Sequence, residues 1–221
     1  MTSFSSTCKM IALFAFLAAS TNTLIAQAHF GLKAGFNLAD VEAEPDAEPD
    51  TKMLPTFQLG VIADIRVSKY VTLQPGLLLS GKGFRYEFDF LGQDITATSN
   101  PFYFQIPVNL MFQNNQVYFG AGPYVGLGIF GNSKAKGGGE SVSEDLSFGN
   151  SNDDNYGPLD FGLNLEAGVK LPGSFRLGVG YGLGFANVLP EYYRSPDSSV
   201  RHRVLQINLV YMLRDKGNTK S

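Results

Sequence analysis

Residues 160–186 separate apolar from small or polar side chains with a period of two. Apolar residues occupy every second position in the ranges 161–171 and 175–185, and Pro172-Gly173 lies between them. This pattern predicts a hairpin of two long strands. A soluble strand usually has about 5–6 residues, whereas about 9–11 tilted residues cross a bilayer. The length of both strands therefore favours a hairpin that spans a membrane.

The opposite face of this hairpin is mostly glycine, with a few charged residues. In a soluble antiparallel sheet that face would meet water and be rich in charge. A large apolar face opposite a small face of mixed charge is typical of a narrow barrel that turns its apolar side to lipid. The glycines at positions 178, 180, 182 and 184 alternate within a strand and precede no helix, so they do not predict a phosphate-binding loop.

The same alternation recurs in six further segments, at residues 30–40, 57–67, 71–90, 102–112, 117–129 and 205–213. The connections alternate in length. Short turns are expected at residues 68–70, 113–116 and 172–173, and long loops around residues 43–50, 91–100, 131–157 and 187–199. Long connections lie outside in outer-membrane barrels, and short ones face the periplasm. The sequence thus predicts an all-β fold, an eight-stranded antiparallel transmembrane up-and-down β-barrel with four long extracellular loops and short periplasmic turns.

Two kinds of residue interrupt the predicted strands. The alternation slips at Gly81-Lys82-Gly83, where a glycine bulge is expected. Pro75, Pro107 and Pro123 each remove a backbone donor from the ladder. A closed barrel has no edge at which a proline could sit, so each is expected at a bulge or a locally missing hydrogen bond.

Aromatic residues gather near the ends of the predicted strands, as in the girdles at the two membrane–water interfaces. The alternative is that aromatic residues simply favour strands. The girdle residues are Tyr70, Phe112 and Phe175 near short turns, and Phe57, Phe102, Phe161 and Phe185 near long loops.

Residues 1–28 have the pattern of a secretory signal peptide. Lys9 precedes an apolar run at residues 10–19, and Ala26-Gln27-Ala28 supplies a small-x-small cleavage site. Cleavage is expected between Ala28 and His29. A membrane anchor is the alternative, but the apolar run is too short to span a bilayer. The barrel is assigned to residues 29–214, and residues 215–221 form a polar tail.

Composition narrows the classes of function. The 17 basic and 20 acidic residues provide no basic footprint for nucleic acid. The single cysteine, Cys8, lies in the predicted signal peptide, so the mature chain needs neither disulfides nor thiol chemistry. The high glycine count of 25 favours extended elements over helices. No cofactor is expected.

Six charged residues fall on the inward faces of the predicted strands. The interior of an eight-stranded barrel is just wide enough to be filled by side chains. These charges are therefore expected to pair with one another as a structural polar plug, although an ion or proton path is an alternative. They are Lys33, Asp64, Arg66, Glu166, Lys170 and Arg176.

His202 lies at the loop end of the last strand. A lipid-hydrolysing barrel could place a histidine there with a serine and a carboxylate, but no spacing singles out a triad. An interfacial histidine beside Arg201 and Arg203 is the favoured interpretation. The nearby candidates for a triad are Ser195, Ser198, Ser199 and Glu191.

The acidic loop is a second candidate site. Its carboxylates could bind Ca²⁺ loosely, but they lack the turn glycine and ligand spacing of a calcium loop. A solvated acidic loop without a bound metal is favoured. The residues are Glu42, Glu44, Asp46, Glu48 and Asp50.

Four short segments resemble the PorT-like outer-membrane β-barrel proteins of Bacteroidetes. They are FGLKAGFNL at residues 30–38, YFQIPVNL at 103–110, GAGPYVGLG at 120–128 and DFGLNLEAG at 160–168. The resemblance implies an eight-stranded barrel that resides in the outer membrane. The family is named after a member linked to protein secretion, and most members have no assigned activity. The resemblance implies no catalytic residue.

The expected function is that of a non-enzymatic, multi-pass protein of the cell outer membrane. It would act through its surface loops in binding or envelope integrity, as a monomer, with outer-membrane lipid and an unknown protein or envelope component as partners. One alternative is an outer-membrane lipid hydrolase using His202. The other is a soluble lipocalin-like ligand-binding barrel, whose apolar faces would line a cavity.

Overall fold

The computed structural model describes residues 28–44, 51–90, 93–138, 140–195 and 198–213. The predicted signal peptide up to Gln27, the acids Asp46, Glu48 and Asp50, and the polar tail lie outside these ranges. The strands are β1 (Ala28–Glu44), β2 (Thr51–Lys52), β3 (Leu54–Arg66), β4 (Val71–Gly81), β5 (Phe84–Phe90), β6 (Gln93–Gln113), β7 (Val117–Gly137), β8 (Glu140–Asp145), β9 (Leu159–Lys170), β10 (Phe175–Gly184) and β11 (Ser199–Met212). Short 3₁₀ turns lie at Pro172–Ser174 and Glu191–Tyr193.

Eight of these strands form a closed antiparallel ring. Its order is β1, β3, β4, β6, β7, β9, β10 and β11, and β11 pairs back with β1 from Met212 opposite Gly31 to Ser199 opposite Glu44. Neighbours in the ring are neighbours in the chain, which is the up-and-down order. The predicted eight-stranded barrel is confirmed.

Two of the four predicted long loops contain strands. β6 begins at Gln93, and β7 continues to Gly137 before β8 pairs back onto it. β2, β5 and β8 join the upper halves of β6 and β7 in a five-stranded extension of the barrel wall, which we call the projecting sheet. β5 lies within the segment 71–90, which is predicted as a strand. The sequence did not reveal β2, β8 and the upper halves of β6 and β7, because above the membrane neither face of a strand has to be apolar.

The glycine bulge predicted at Gly81-Lys82-Gly83 is wrong, because the register with β6 does not change across these residues. Gly81 is opposite Phe102, and Phe84 is opposite Ser99, so the pairing with β6 is the same on both sides of the break. Gly83 has a φ of 134°, a conformation that favours glycine. Across the break the apolar residues move from the outer face of β4 to the inner face of β5.

The three strand prolines leave local gaps in the ladder. The β4–β6 pairing stops after Pro75–Val108 and resumes at Leu78–Gln105 in the same register. The β6–β7 pairing likewise stops after Pro107–Tyr124 and resumes at Leu110–Ala121. Of the two expected outcomes, the missing hydrogen bond is the one observed.

The large apolar side chains point away from the barrel axis. At least half of the residue surface is exposed at Leu59, Val125, Val179 and Ile207. Polar residues such as Asn37 and Asn208 are fully buried in the lumen. The lipocalin-like alternative is therefore wrong, because it requires the apolar faces to converge on an interior cavity. An outer face of this composition is the kind that contacts hydrocarbon.

Aromatic rings mark both ends of the apolar band. At the short-turn end, Phe112 stacks on Phe119 at 5.4 Å between centroids, and Phe175 contacts Tyr211 at 4.9 Å. At the loop end, Phe102 is only 7% exposed because it lies between the rings of Phe57 and Phe130. The other predicted girdle residues are exposed on the outer surface; they are Tyr70, Phe161 and Phe185.

Among the described residues, no helix has the length and apolar character needed to cross a membrane.

Val179 tests the assignment of the outer face, since it lies midway between the girdle positions 175 and 185 and packs beside Ala167 and Ile207. Val179→Lys is expected to lower the free energy of unfolding in lipid by about 2–4 kcal/mol, as for a lysine at the bilayer midplane. Urea unfolding in vesicles, followed by the heat-dependent gel mobility of the folded barrel, measures this change. Val142→Lys on β8 is the matched control and should leave stability unaltered.

Candidate functional site

Four of the six inward charges predicted from the sequence form two ion pairs in the lumen. Lys33 Nζ lies 2.5 Å from Glu166 Oε2, which joins β1 to β9 through the barrel interior. Arg176 donates to Asp64 Oδ2 at 2.6 Å, and Gln74 donates to the other oxygen of that carboxylate at 2.8 Å. Both pairs are almost completely buried. Each charge has lost its contact with water and is stabilised instead by its partner.

The other two predicted charges, Arg66 and Lys170, lie where the lumen opens at its periplasmic end. With Asp64 and Arg176 they line a cavity of about 410 Å³. Arg66 is exposed and Lys170 is half-buried. Within the described part of the chain neither forms an ion pair with a carboxylate. Their expected pairing with the other inward charges is not seen.

A third buried pair was not predicted from the sequence. Lys82 Nζ lies 2.6 Å from Asp160 Oδ2, and the two side chains are 3% and 0% exposed. The hydroxyl of Tyr124 donates to the same carboxylate oxygen at 3.2 Å, and the ammonium lies 4.1 Å from the centroid of the Tyr124 ring. Lys82 stands in the glycine break and Asp160 near the start of β9. Their position at strand ends concealed their inward orientation.

Amide side chains fill the lumen between the charged pairs. Gln58 Nε2 donates to Asn208 Oδ1 at 2.5 Å and to Gln206 Oε1 at 3.2 Å. Asn37 donates to the carbonyl of Gly81 at 3.0 Å. Glycines make room for these amides: a Cβ at Gly35 would lie 2.4 Å from Asn208 Oδ1. The glycine-rich inner face thus accommodates large polar side chains from neighbouring strands.

An apolar cap closes the extracellular end of the lumen. Leu146, Tyr156 and Val188 form a buried cluster, against which Phe148 packs. The Tyr156 hydroxyl is 2.8 Å from Ser99 Oγ, and burial raises the pKa of Tyr156 to about 12. The residues between β8 and β9 and between β10 and β11 therefore fold over the barrel mouth.

His202 lies beneath this cap and is completely buried. Its Nε2 is 3.4 Å from the Tyr103 hydroxyl, and its ring stacks on Tyr156 at 6.3 Å between centroids. Its Nδ1 has no hydrogen-bond partner among the described residues, whereas a catalytic histidine is held there by a carboxylate. The expected interfacial position is wrong, because the cap excludes the ring from water.

The serines proposed for a triad lie elsewhere. Ser195 and Ser198 hydrogen bond to each other at 2.9 Å. Ser199 is the first residue of β11 and lies opposite Glu44 on β1. Glu191 is exposed in a 3₁₀ turn. In the described ranges no cluster of three or more His, Cys, Asp or Glu residues is placed to hold a metal ion.

The closed ring, the apolar outer band and the polar filled lumen define an integral outer-membrane β-barrel protein. The family described as outer membrane protein beta-barrel domain matches residues 18–189. The chain belongs to this family, and it resides in the outer membrane, which it crosses repeatedly with its strands. Membership of the narrower PorT-like group remains a prediction.

Several solved barrels are similar to the chain. Ail, the attachment invasion locus protein of Yersinia pestis in complex with the heparin analogue sucrose octasulfate, is 13% identical, with 85% of this chain and 99% of that chain covered and a TM-score of 0.47. Neisserial surface protein A is 11% identical, with 85% and 97% covered and a TM-score of 0.43. OprG from Pseudomonas aeruginosa is 13% identical, with 85% and 97% covered and a TM-score of 0.34. No curated protein sequence matches the chain. At these sequence identities and TM-scores, the similarity supports no inference about the function of this chain.

Asp160→Ala tests the importance of the unpredicted ion pair. The change leaves the Lys82 ammonium buried without its carboxylate, which is expected to lower the free energy of unfolding by about 3–5 kcal/mol. Urea unfolding in lipid vesicles measures the loss. Lys52→Ala is the control, because it removes a lysine whose ion pair with Glu87 is exposed, and it should unfold like the parent protein. Equal stability of Asp160→Ala and the parent would contradict the structural role.

His202→Ala tests the hydrolase alternative. Because the histidine contacts aromatic rings under a cap, its removal is expected to leave the lipid A and phospholipid composition of the outer membrane unchanged. Mass spectrometry of extracted lipids from cells that carry the parent or the variant measures this. A deacylated lipid that depends on His202 would overturn the expectation, and Ser195→Ala should then abolish the same product.

Proposed function

We propose that this protein is a non-enzymatic outer-membrane barrel that acts by binding a protein partner at its extracellular surface. The observation that carries the proposal is the projecting sheet. β6 and β7 each have 21 residues, whereas β9 and β10, the next two strands of the ring, have 12 and 10. About ten tilted residues are enough to cross the bilayer, so the excess of β6 and β7 stands above the membrane.

The outer strand of the projecting sheet has an open edge. β8 pairs with β7 along one side, and no described strand pairs with its other side. All six of its residues are exposed. An unpaired edge of this kind offers a row of backbone donors and acceptors to an extended segment of another chain. β8 carries Glu140, Glu144 and Asp145, which favours a basic segment as its partner.

One face of the projecting sheet adds apolar contact area. Tyr86 is opposite Ala97, Phe88 is opposite Ile95, and Ala135 is opposite Val142, so these residues share the inner face. Phe88 and Val142 are exposed by 38% and 60%. Exposed apolar surface rimmed by polar residues is typical of an interaction site. An edge with an adjacent apolar face fits a peptide segment better than it fits a small solute.

The filled lumen supports a role at the surface. The three buried ion pairs and the amide layer occupy the interior, and the apolar cap covers its extracellular end. The polar lumen then serves as the structural plug predicted from the sequence. Such a barrel is a rigid, monomeric support for the sheet above it, through which the protein would contribute to envelope integrity. The resemblance to PorT-like proteins favours protein secretion as the setting.

Site-specific photocrosslinking at Ser143 tests the open edge of β8. In the native outer membrane, a photoreactive residue at this position is expected to crosslink to protein, whereas one at Ser151 in the exposed connection between β8 and β9 should not. Leu146 N–H donates to the Gly131 carbonyl, so the alternate residue Ser141 directs its N–H to the open edge. Ser141→Pro should abolish the crosslink, because proline removes this donor and blocks strand addition. Ser141→Thr keeps the donor and should retain the crosslink.

The folded state of each variant is verified by its heat-dependent gel mobility. Crosslinks of equal yield in Ser141→Pro and Ser141→Thr would contradict binding at the strand edge. Crosslinking at Ser151 alone would instead place the partner on another part of the extracellular surface.

A further inference from the structure

The open edge of β8 presents the peptide groups of every second residue. The N–H of Leu146, the residue after β8, donates to the Gly131 carbonyl on β7. In an antiparallel ladder, residues whose N–H and C=O bond to one neighbour alternate with residues whose groups point away from it. A strand added in antiparallel orientation would form its hydrogen bonds with the residues whose groups point to the open edge. These are Ser141, Ser143 and Asp145.

The side chains of the other three β8 residues lie on the inner face of the projecting sheet. They are Glu140, Val142 and Glu144, opposite Gly137, Ala135 and Ser133 on β7. An added antiparallel strand would meet them at its non-hydrogen-bonded pairs, where Cα atoms are about 4.5 Å apart and side chains are closest. An acid, an apolar group and a second acid would therefore select, in turn, the side chains that a partner places on this face.

Val142 ends an apolar row that crosses the inner face. Register places four residues side by side on β5, β6, β7 and β8, namely Tyr86, Ala97, Ala135 and Val142. Ala135 is exposed and Val142 is 60% exposed, so the row is open to water at the sheet edge. An apolar side chain of the added strand, placed opposite Val142, would extend this row and lose contact with water on that side.

The rows on either side of the apolar row end in acids that have no counter-charge. Glu140 and Glu144 are exposed, and none of the ion pairs within the described ranges includes either carboxylate. The described inner-face positions of β5, β6, β7 and β8 contain no lysine or arginine, since Lys134 and Lys136 lie on the outer face. A basic residue opposite each acid would thus add an opposite-charge cross-strand pair.

A second copy of β8 is a poor partner for this edge. In an antiparallel pair of two β8 strands centred on Val142, each Glu140 would lie opposite a Glu144, and like charges directly opposite one another are destabilising. Charges on an edge strand commonly oppose such self-pairing. The same two acids attract a strand of opposite charge, so the edge favours a basic segment of a different protein.

We propose that the β8 edge binds an extended segment of a partner protein with the pattern basic, x, apolar, x, basic. This inference rests on the proposed function and adds the sequence pattern that the partner carries. The two basic residues pair with Glu140 and Glu144, and the apolar residue packs against Val142. The pattern reads the same in both directions of the segment. The residues marked x face the outer side of the sheet beside the small side chains of Ser141 and Ser143.

Binding of short peptides to the full barrel in phosphatidylcholine nanodiscs tests the pattern. The matched probe is a fluorescein-labelled peptide of sequence TTKTVTKTT. The control peptide, TTTKVKTTT, has the same composition and charge, but its lysines lie on the strand face opposite to its valine. Fluorescence anisotropy is expected to show that TTKTVTKTT binds about tenfold more tightly, from about threefold for each of its two charge pairs.

Substitutions on β8 identify the residues that select the peptide. Glu140→Gln and Glu144→Gln are each expected to weaken binding of TTKTVTKTT about threefold. The double variant Glu140→Lys, Glu144→Lys should instead prefer the peptide TTETVTETT. Asp145→Asn is the matched control, because it removes an acid of the same strand from the outer face, opposite Asn132. Its preference between the two lysine peptides should equal that of the parent, and heat-dependent gel mobility verifies that each variant is folded.

The other outcomes separate this inference from the proposed function. Equal binding of the two lysine peptides, with both lost in Ser141→Pro, would overturn the pattern and leave strand addition at β8 standing. A barrel that binds neither peptide but still crosslinks to protein at Ser143 would also overturn it. Absence of both peptide binding and the Ser143 crosslink would remove the proposed function as well. Self-association of the Glu140→Gln, Glu144→Gln variant, without selective peptide binding by the parent, would overturn the pattern by assigning the acids to protection against self-pairing alone.

Discussion

Backbone hydrogen bonding in lipid is the constraint on which this structure depends. Hydrocarbon offers no partner to a peptide group, so a sheet that spans the membrane has to close on itself. The long pairing of β1 with β11 provides that closure. It also explains why Pro75, Pro107 and Pro123 leave short gaps in their ladders without a change of register: a slip would have to propagate around the ring, and it would turn inward side chains toward lipid.

Closure with eight strands makes a narrow interior, and the interior determines which side chains are compatible with it. Lys33, Glu166, Asp64 and Arg176 are buried in pairs because each would be costly to bury alone. The adjacent glycines compensate for the bulk of these residues and of the amides. The abundance of glycine in the sequence is thus a packing requirement of the lumen.

The two faces of the wall exchange roles at the membrane surface. Below the Phe102 and Phe130 rings the outer face meets lipid and is apolar, and the inner face is polar. Above them the outer face carries Lys134 and Lys136, while Tyr86 and Phe88 lie on the inner face. The backbone continues through this boundary with one register shift on β7 and one glycine break before β5. The surroundings of the strands change from lipid to water at this boundary, and the distribution of apolar and polar side chains changes with them.

The sequence by itself determined the number of membrane-crossing strands, the turns between them and the face that meets lipid. These follow from the period of the pleat, which is local and repeats at every second residue. The sequence also predicted that Lys33, Asp64, Glu166 and Arg176 point inward, because each lies within a regular alternation of apolar and polar positions.

Only the tertiary structure decided which inward residues meet. Lys82 and Asp160 are 78 positions apart in the chain, and their contact across the lumen depends on the tilt and stagger of the closed sheet. The burial of His202 depends on the cap, whose residues come from two separate connections. The sequence predicted β5 within the segment 71–90, but β2, β8 and the upper halves of β6 and β7 escaped sequence analysis. Strands surrounded by water need no apolar alternation, and these are stabilised by pairing with strands that already cross the membrane.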